Sequence, residues 1–271
     1  MAGLGRWWRL VERCPGCDGA ELFLHRTSGE SGDEYRAVFT NSSGSATTVA
    51  ASLTVAEVST NWSGYAATGS AFRAVSGSWR VPTVTCPADT TTYSSQWIGI
   101  DGYGTETVEQ DGTETDCDHG TPYYGAWYEM YGDDAVNYGY EVPVPNPSDR
   151  VSPGDAMTAS VSISGSTWTL AIADTTAPWN YSIGISDASF DPQRSSAEWI
   201  VERPEVGALT PLSDFGSVSF TGASAADSVS SGPISAFAFE PIEMADPTLL
   251  AAPGALTAQG QSFDDQWYET G

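Results

Sequence analysis

Two short stretches carry residue types that can hydrolyse an amide. Gln110 lies in Thr107-Val-Glu-Gln-Asp-Gly112, shortly after Gln96-Trp-Ile-Gly-Ile-Asp-Gly102, and Glu198 lies in Ser196-Ala-Glu-Trp-Ile-Val-Glu202. A carboxylate can take a proton from water as the water attacks a carbonyl, and an amide N–H can hold the oxyanion that forms. Gln110 does not ionise, so its donor persists at any pH. Other routes to hydrolysis find little support. The histidines are His25 and His119 alone, and a Ser-His-Asp triad would rest on His119, in a Cys-Asp-His-Gly turn, with no Gly-x-Ser-x-Gly elbow anywhere. A zinc hydrolase needs more imidazole or thiolate ligands than the body of the chain offers. The Asp-Thr/Ser-Gly pair of pepsin-like enzymes is absent. The expectation is therefore hydrolysis without a metal or an organic cofactor.

These residues must be positioned by strands. In 196–203, Glu198, Ile200 and Glu202 share one face; in 96–101, Trp97, Gly99 and Asp101 do; in 125–130, Trp127 and Glu129 do. An ordinary sandwich would leave such acids on a solvated face, and parity alone does not separate that reading from a groove. The clearest strand alternates Met157, Ala159, Val161 and Ile163 with hydroxyl residues, then turns at Gly165-Ser166 into Trp168, Leu170 and Ile172. Further strands are expected at 75–81, 95–101, 123–131, 137–142, 179–186, 196–203, 215–221 and 235–243. No amphipathic helical period appears from Thr60 onward. Many antiparallel strands over about 210 residues predict a large all-β, two-sheet sandwich.

Composition agrees with a packed β domain. The 271 residues include ten tryptophans, 28 glycines and 16 prolines, which supply core volume and turns. Against 35 acids there are ten basic residues, all arginine. Residues 59–271 carry 28 of the acids and 5 of the arginines, a net charge of −23. Nucleic acid and anionic membranes are disfavoured as partners, since both would be repelled. The same surface suits an acid-adapted protein whose carboxylates discharge near pH ~4. Cys86 and Cys117 flank the Trp97–Gln110 segment and are expected to close it with a disulfide, which fits an oxidising compartment. Cys14-Pro-Gly-Cys17 has no second ligand pair at zinc spacing. Residues 1–58 are expected to form a poorly ordered leader, with two strands in 34–56 joined by Asn41-Ser-Ser-Gly44. That hairpin resembles the last one of a bacterial immunoglobulin-like repeat. Neither a membrane span nor a secretory signal is visible.

Five motifs in order carry a wider resemblance: Asn61-Trp-Ser-Gly-Tyr65, Trp97-Ile-Gly-Ile-Asp-Gly102, Gln110 followed by Asp-Gly, Ala126-Trp-Tyr-Glu129, and Ala197-Glu-Trp-Ile-Val-Glu202. From about Asn61 to Trp267 the chain resembles the glutamic peptidases, the eqolisin or G1 peptidase family, as a bacterial-type member. The resemblance implies a concanavalin-A-like sandwich of two curved antiparallel sheets over 59–271. It implies a secreted, acid-acting endopeptidase, a monomer acting on polypeptides. Glu198 and Gln110 match its catalytic pair. Trp97, Asp101, Trp127, Glu129 and Glu202 match positions that line or support its groove, and Glu114 matches an acidic one. Gly125 stands where fungal relatives often have Asp, and Arg203 where an acid follows. The residues alone leave two alternatives open. One is a glycoside hydrolase using Glu198 and Glu129; the other is a carbohydrate-binding sandwich. The cluster Glu114, Asp116 and Asp118 is expected to be a solvated turn rather than a calcium site.

Overall fold

The computed structural model describes residues 34–41, 43–52, 55–133, 140–145 and 150–271. The expectations for Cys14, Cys17 and His25 fall outside them. The chain divides into two compact units, Met1–Glu57 and Val58–Gly271. In the first, β1 (Glu34–Tyr35), β2 (Val38–Asn41), β3 (Gly44–Thr47) and β4 (Ala51–Ser52) form antiparallel pairs, β1 with β4 and β2 with β3.

The second unit is built from strands joined mostly by short turns. In chain order these are β5 (Glu57–Ser59, which straddles the boundary), β6 (Trp62–Thr68), β7 (Ala74–Arg80), β8 (Thr91–Thr92), β9 (Ser95–Ile100), β10 (Val108–Asp118) and β11 (Thr121–Tyr131). They continue as β12 (Val142–Pro143), β13 (Ala156–Ser164), β14 (Thr167–Asp174), β15 (Trp179–Ser186), β16 (Ser196–Glu202) and β17 (Ser217–Ala226). The last are β18 (Ser231–Gly232), β19 (Ala238–Ala245), β20 (Leu249–Pro253) and β21 (Phe263–Trp267). The helices among the described residues are single 3₁₀ turns, Ile234–Ala236 and Ala258–Gly260. The first of them takes the start of the segment expected as strand 235–243.

One antiparallel sheet runs β19–β6–β16–β9–β10–β11–β12, and the other runs β15–β14–β13–β7–β17–β21. β20 pairs with both β19 and β21, so the ladder passes from one sheet to the other at that end. Alternation decides what each face holds. Met157, Ala159, Val161, Leu170 and Ile172 point inward with Trp79, Trp168 and Trp199, forming a core between the sheets. Each of the Met, Val, Leu and Ile side chains removed from water contributes about 1.5–3 kcal/mol. A second, smaller cluster, of Trp97, Trp127, Ile200, Ala66 and Ile242, lies on the opposite face of the first sheet. Cys86 and Cys117 are joined in a disulfide, with Cα atoms 5.3 Å apart, that ties the end of β10 to the loop before β8. Closing a loop of that length stabilises by about 3–4 kcal/mol.

Asp111 and Asp265 are two of the carboxyls buried within this framework. Asp111 on β10 is fully enclosed on the core side, neither of its oxygens has a hydrogen-bond partner among the described residues, and burial pushes its proton affinity well up. Asp265 on β21 is also fully buried. Ser63 Oγ, 2.9 and 2.8 Å from its two oxygens, donates to it, yet burial still pushes it up to about 8. Both groups are easier to protonate folded than unfolded. Their contribution is complete below the unfolded value near pH ~4 and is lost as pH rises through the folded values. The melting temperature, followed by circular dichroism, should therefore fall between pH 5 and 9. Asp111→Asn should flatten that fall, and a melting temperature that climbs with pH would contradict it.

Candidate active site

Register builds the site. Across the first sheet, Glu198 of β16 stands opposite Gly99 of β9, Gly99 opposite Gln110 of β10, and Gln110 opposite Glu129 of β11. These four residues form one transverse row on the same face. Two strand spacings separate the backbones of Glu198 and Gln110, about 10 Å. Only glycine lies between them. A Cβ on Gly99 would come within 3.1 Å of the Glu109 carbonyl and the Trp97 ring and 3.2 Å of Gln110 Cβ. A side chain at 99 would therefore crowd the position between the two functional groups.

The next row is the floor. Ile200, Trp97, Gly112 and Trp127 follow one another across β16, β9, β10 and β11. Trp97 and Trp127 are essentially fully buried. Gly112 is required here, since a Cβ would lie 2.6 Å from Trp97 Cβ. Trp62 meets Trp97 edge-on, with ring centroids 4.9 Å apart. The third row sets Glu202 beside Ser95, Glu114 and Gly125. Glu114 occupies the space that a side chain at 125 would take. Gly125 and Glu114 are thus one packing solution, which accounts for the departure at 125.

Polar contacts hold the functional groups in place. Gln110 Nε2 donates to Glu129 Oε2 at 2.7 Å, fixing the amide and leaving its second N–H for the groove. Burial pushes Glu129 up to about 7, opposed by that hydrogen bond. Glu202 accepts the Trp97 indole N–H at 2.7 Å and the Asn61 amide at 3.2 Å. Burial raises Glu202 to about 7, with Trp97, Trp62 and Asn61 opposing. Asp101 accepts backbone N–H groups of Arg194 (2.5 Å) and Ser195 (2.7 Å), which anchors the segment entering β16. Glu198 is wholly buried. Burial raises its proton affinity strongly and Asp101 adds to this, whereas the Ser196 hydroxyl and the Tyr103 backbone oppose it.

The candidate pair and the candidate groove residues all fall on this sheet or just past a strand end, though not in equal roles. Asp101 supports from the strand end, and Trp97 and Trp127 form floor. Glu114 and Asp116 lie on β10 itself rather than in a solvated turn, half-buried, with Asp118 exposed at its end. Burial and the neighbouring Glu114 push Asp116 up to about 7, while the Ser94 N–H, 3.1 Å away, opposes. Among the described residues no cluster has the makings of a metal site. Sequence reasoning assigned no part to Gly99, Asn61 or Tyr103. Asn61 and Gly99 lie inside the ordered motifs, but only the Asn61–Glu202 hydrogen bond and the pairing of β9 with β10 and β16 show what they do.

The sequence profile of the Peptidase A4 family matches residues 60–253, a span that contains every residue of these rows. The chain belongs to the Peptidase A4 family. Aspergillopepsin-2 of Aspergillus niger is 31% identical over 192 residues, covering 62% of this chain and 65% of the relative, so the chain spans just under two thirds of that protein's length. The structure of aspergilloglutamic peptidase from Aspergillus niger superposes with a TM-score of 0.56 and 26% identity, over 65% of this chain and 99% of that one. Scytalido-glutamic peptidase, solved with a peptide-based transition-state analogue, gives a TM-score of 0.64 at 21% identity, over 77% and 98% of the two chains. At that identity the likeness is one of fold. The A4 family match therefore coincides with the sandwich and with the sheet that carries the rows.

The floor makes a direct forecast. Trp97→Phe keeps most of the ring volume but removes one donor from buried Glu202. It should cost about 1–3 kcal/mol, read as a lowered urea midpoint. An unchanged midpoint would show that the Trp97–Glu202 bond contributes nothing.

Proposed function

We propose that this protein is an acid-acting endopeptidase of the glutamic type, in which Glu198 activates water and Gln110 binds the oxyanion. The observation that carries this reading is the Glu198–Gly99–Gln110–Glu129 row. In this reading the row puts a base, Glu198, and an anchored amide donor, Gln110, two strand spacings apart with only glycine between them. In the proposed reaction, Glu198 takes one proton from the attacking water as the carbon–oxygen bond forms. The free N–H of Gln110 holds the tetrahedral oxyanion. Glu198 then returns the proton to the departing amine as the carbon–nitrogen bond breaks. The Oε1 atom of Gln110, which has no hydrogen-bond partner among the described residues, can accept from the water before attack.

Burial gives Glu198 high proton affinity, so it is only partly ionised in acid. Each tenfold deficit of the ionised form costs about 1.4 kcal/mol, and the greater basicity of the buried carboxylate offsets part of that. The expected substrates are polypeptides, and the expected setting is extracellular, in keeping with the Cys86–Cys117 bond. A glycoside hydrolase is disfavoured by the same row. Glu198 and Glu129 stand three strand spacings apart, about 14 Å between backbones, with Gln110 occupying the position where a second acid would be needed within about 5–9.5 Å.

Cleavage of a denatured protein substrate across pH 2–7 tests the reading. Gln110→Ala should lower kcat by about 10²–10³, and Glu198→Gln by at least ~10²–10⁴. Near-wild-type turnover in Glu198→Gln would end it.

A further inference from the structure

Glu109 is a buried carboxyl that the proposed chemistry leaves unused. It precedes Gln110 on β10 but faces the other way, with Ile100 of β9 and Met130 of β11 as its strand partners, both fully buried. Its own exposure is zero, and neither carboxyl oxygen receives a hydrogen bond from any described residue. A carboxylate so placed has nothing to solvate it, which favours the neutral acid. The charged groups that act on it come from each neighbouring element: Asp101 at the end of β9, Glu198 on β16, Arg194 ahead of β16, and Asp133 beyond β11. Three of these four are acids, and Asp101 already accepts the Arg194 and Ser195 backbone. Burial first, then Asp101 and Glu198, push Glu109 well above the usual carboxylate range; Arg194 opposes and Asp133 adds.

Negative charge on Glu109 would appear directly behind the residue that must hold an oxyanion and within electrostatic reach of the base. We propose that Glu109 is a positioning residue for hydrolysis: its neutral form lets negative charge collect on Glu198 and on the oxyanion at Gln110, and its ionisation ends turnover as pH rises. The inference rests on the peptidase reading and adds to it the group that closes the working range. Glu109 lies on the opposite side of β10 from Gln110 and acts only through the field at the pair. The two forms of the site differ by one proton, released to solvent when Glu109 ionises.

Glu109→Gln is permanently neutral and nearly the same shape, and Glu109→Leu is neutral without any polar atom. In the full chain, kcat/KM for a quenched peptide is measured against pH, at values where tryptophan fluorescence reports a folded protein. Both variants should match wild type in acid with KM unchanged. Their alkaline limb should move up by about one pH unit, a roughly tenfold gain in kcat/KM above the wild-type midpoint. Asp111→Asn removes an equally buried acid on the same side of β10 and should move the unfolding midpoint but not the limb. An independent readout is the ¹³C carboxyl spectrum of glutamate-labelled protein. The resonance missing in Glu109→Gln should titrate at higher pH in wild type than the ordinary exposed glutamates. Cleavage with an unmoved limb in both variants, or a Glu109 resonance titrating as an ordinary carboxylate, overturns this inference alone. A wild type that cleaves nothing at any pH overturns the peptidase reading with it.

Discussion

Everything at the site depends on the register of β16, β9 and β10. A β-sheet alternates side chains with period two, so a slip of one residue would turn Glu198 or Gln110 into the core and bring Trp199 or Asp111 outward. The register is held by what lies on both faces. Trp199 is locked inside, its indole N–H given to the Ser76 carbonyl at 2.9 Å. On the other face Trp97 lies over Gly112 and bonds to Glu202. Asp101 then clamps the entry to β16 through two backbone N–H groups. Gly99 thus sits between Glu198 and Gln110 with the neighbouring row filled by Ile200, Trp97, Gly112 and Trp127.

The second constraint is electrostatic. Buried carboxyls are usually paired with cations, yet here Glu109, Asp111, Glu129, Glu198, Glu202 and Asp265 face mostly one another, amides, hydroxyls and indoles. Such an arrangement is tolerable only while most of these groups carry protons. Among the described residues the one buried arginine, Arg203, is committed to Asp246 at 2.6 Å and to the Thr60 carbonyl at 2.7 Å. Stability and the proposed chemistry therefore favour the same pH range for one physical reason. The acidic surface adds to this, since its self-repulsion also subsides in acid.

Much of this was legible in the residues. Period-two alternation marked β13 and β14 and their turn, and parity placed Glu198 with Glu202 and Trp127 with Glu129 on common faces. The resemblance supplied the proposed Glu198–Gln110 pair, which parity alone left open to a solvated-face reading. What alternation cannot reveal is which strands lie side by side. The row through Gly99 joins residues 66, 198, 99, 110 and 129, and no local signal announces that order. The same gap explains why Glu114 and Asp116 read as a solvated turn: they lie in a charged, threonine-rich stretch that becomes a strand because β9 and β11 flank it. Glu109 and Asp111 were hidden by the ordinary expectation that acids point outward.

The central claim is that Glu198 and Gln110 work on one carbonyl as a unit. A double-mutant cycle on kcat, with Glu198→Gln, Gln110→Ala and the double variant assayed at one acidic pH, measures it most directly. The account predicts strong non-additivity, the double variant being little slower than Glu198→Gln alone, because the oxyanion donor has no transition state to act on once the base is gone. Losses that simply multiply would show two groups acting independently and would contradict it.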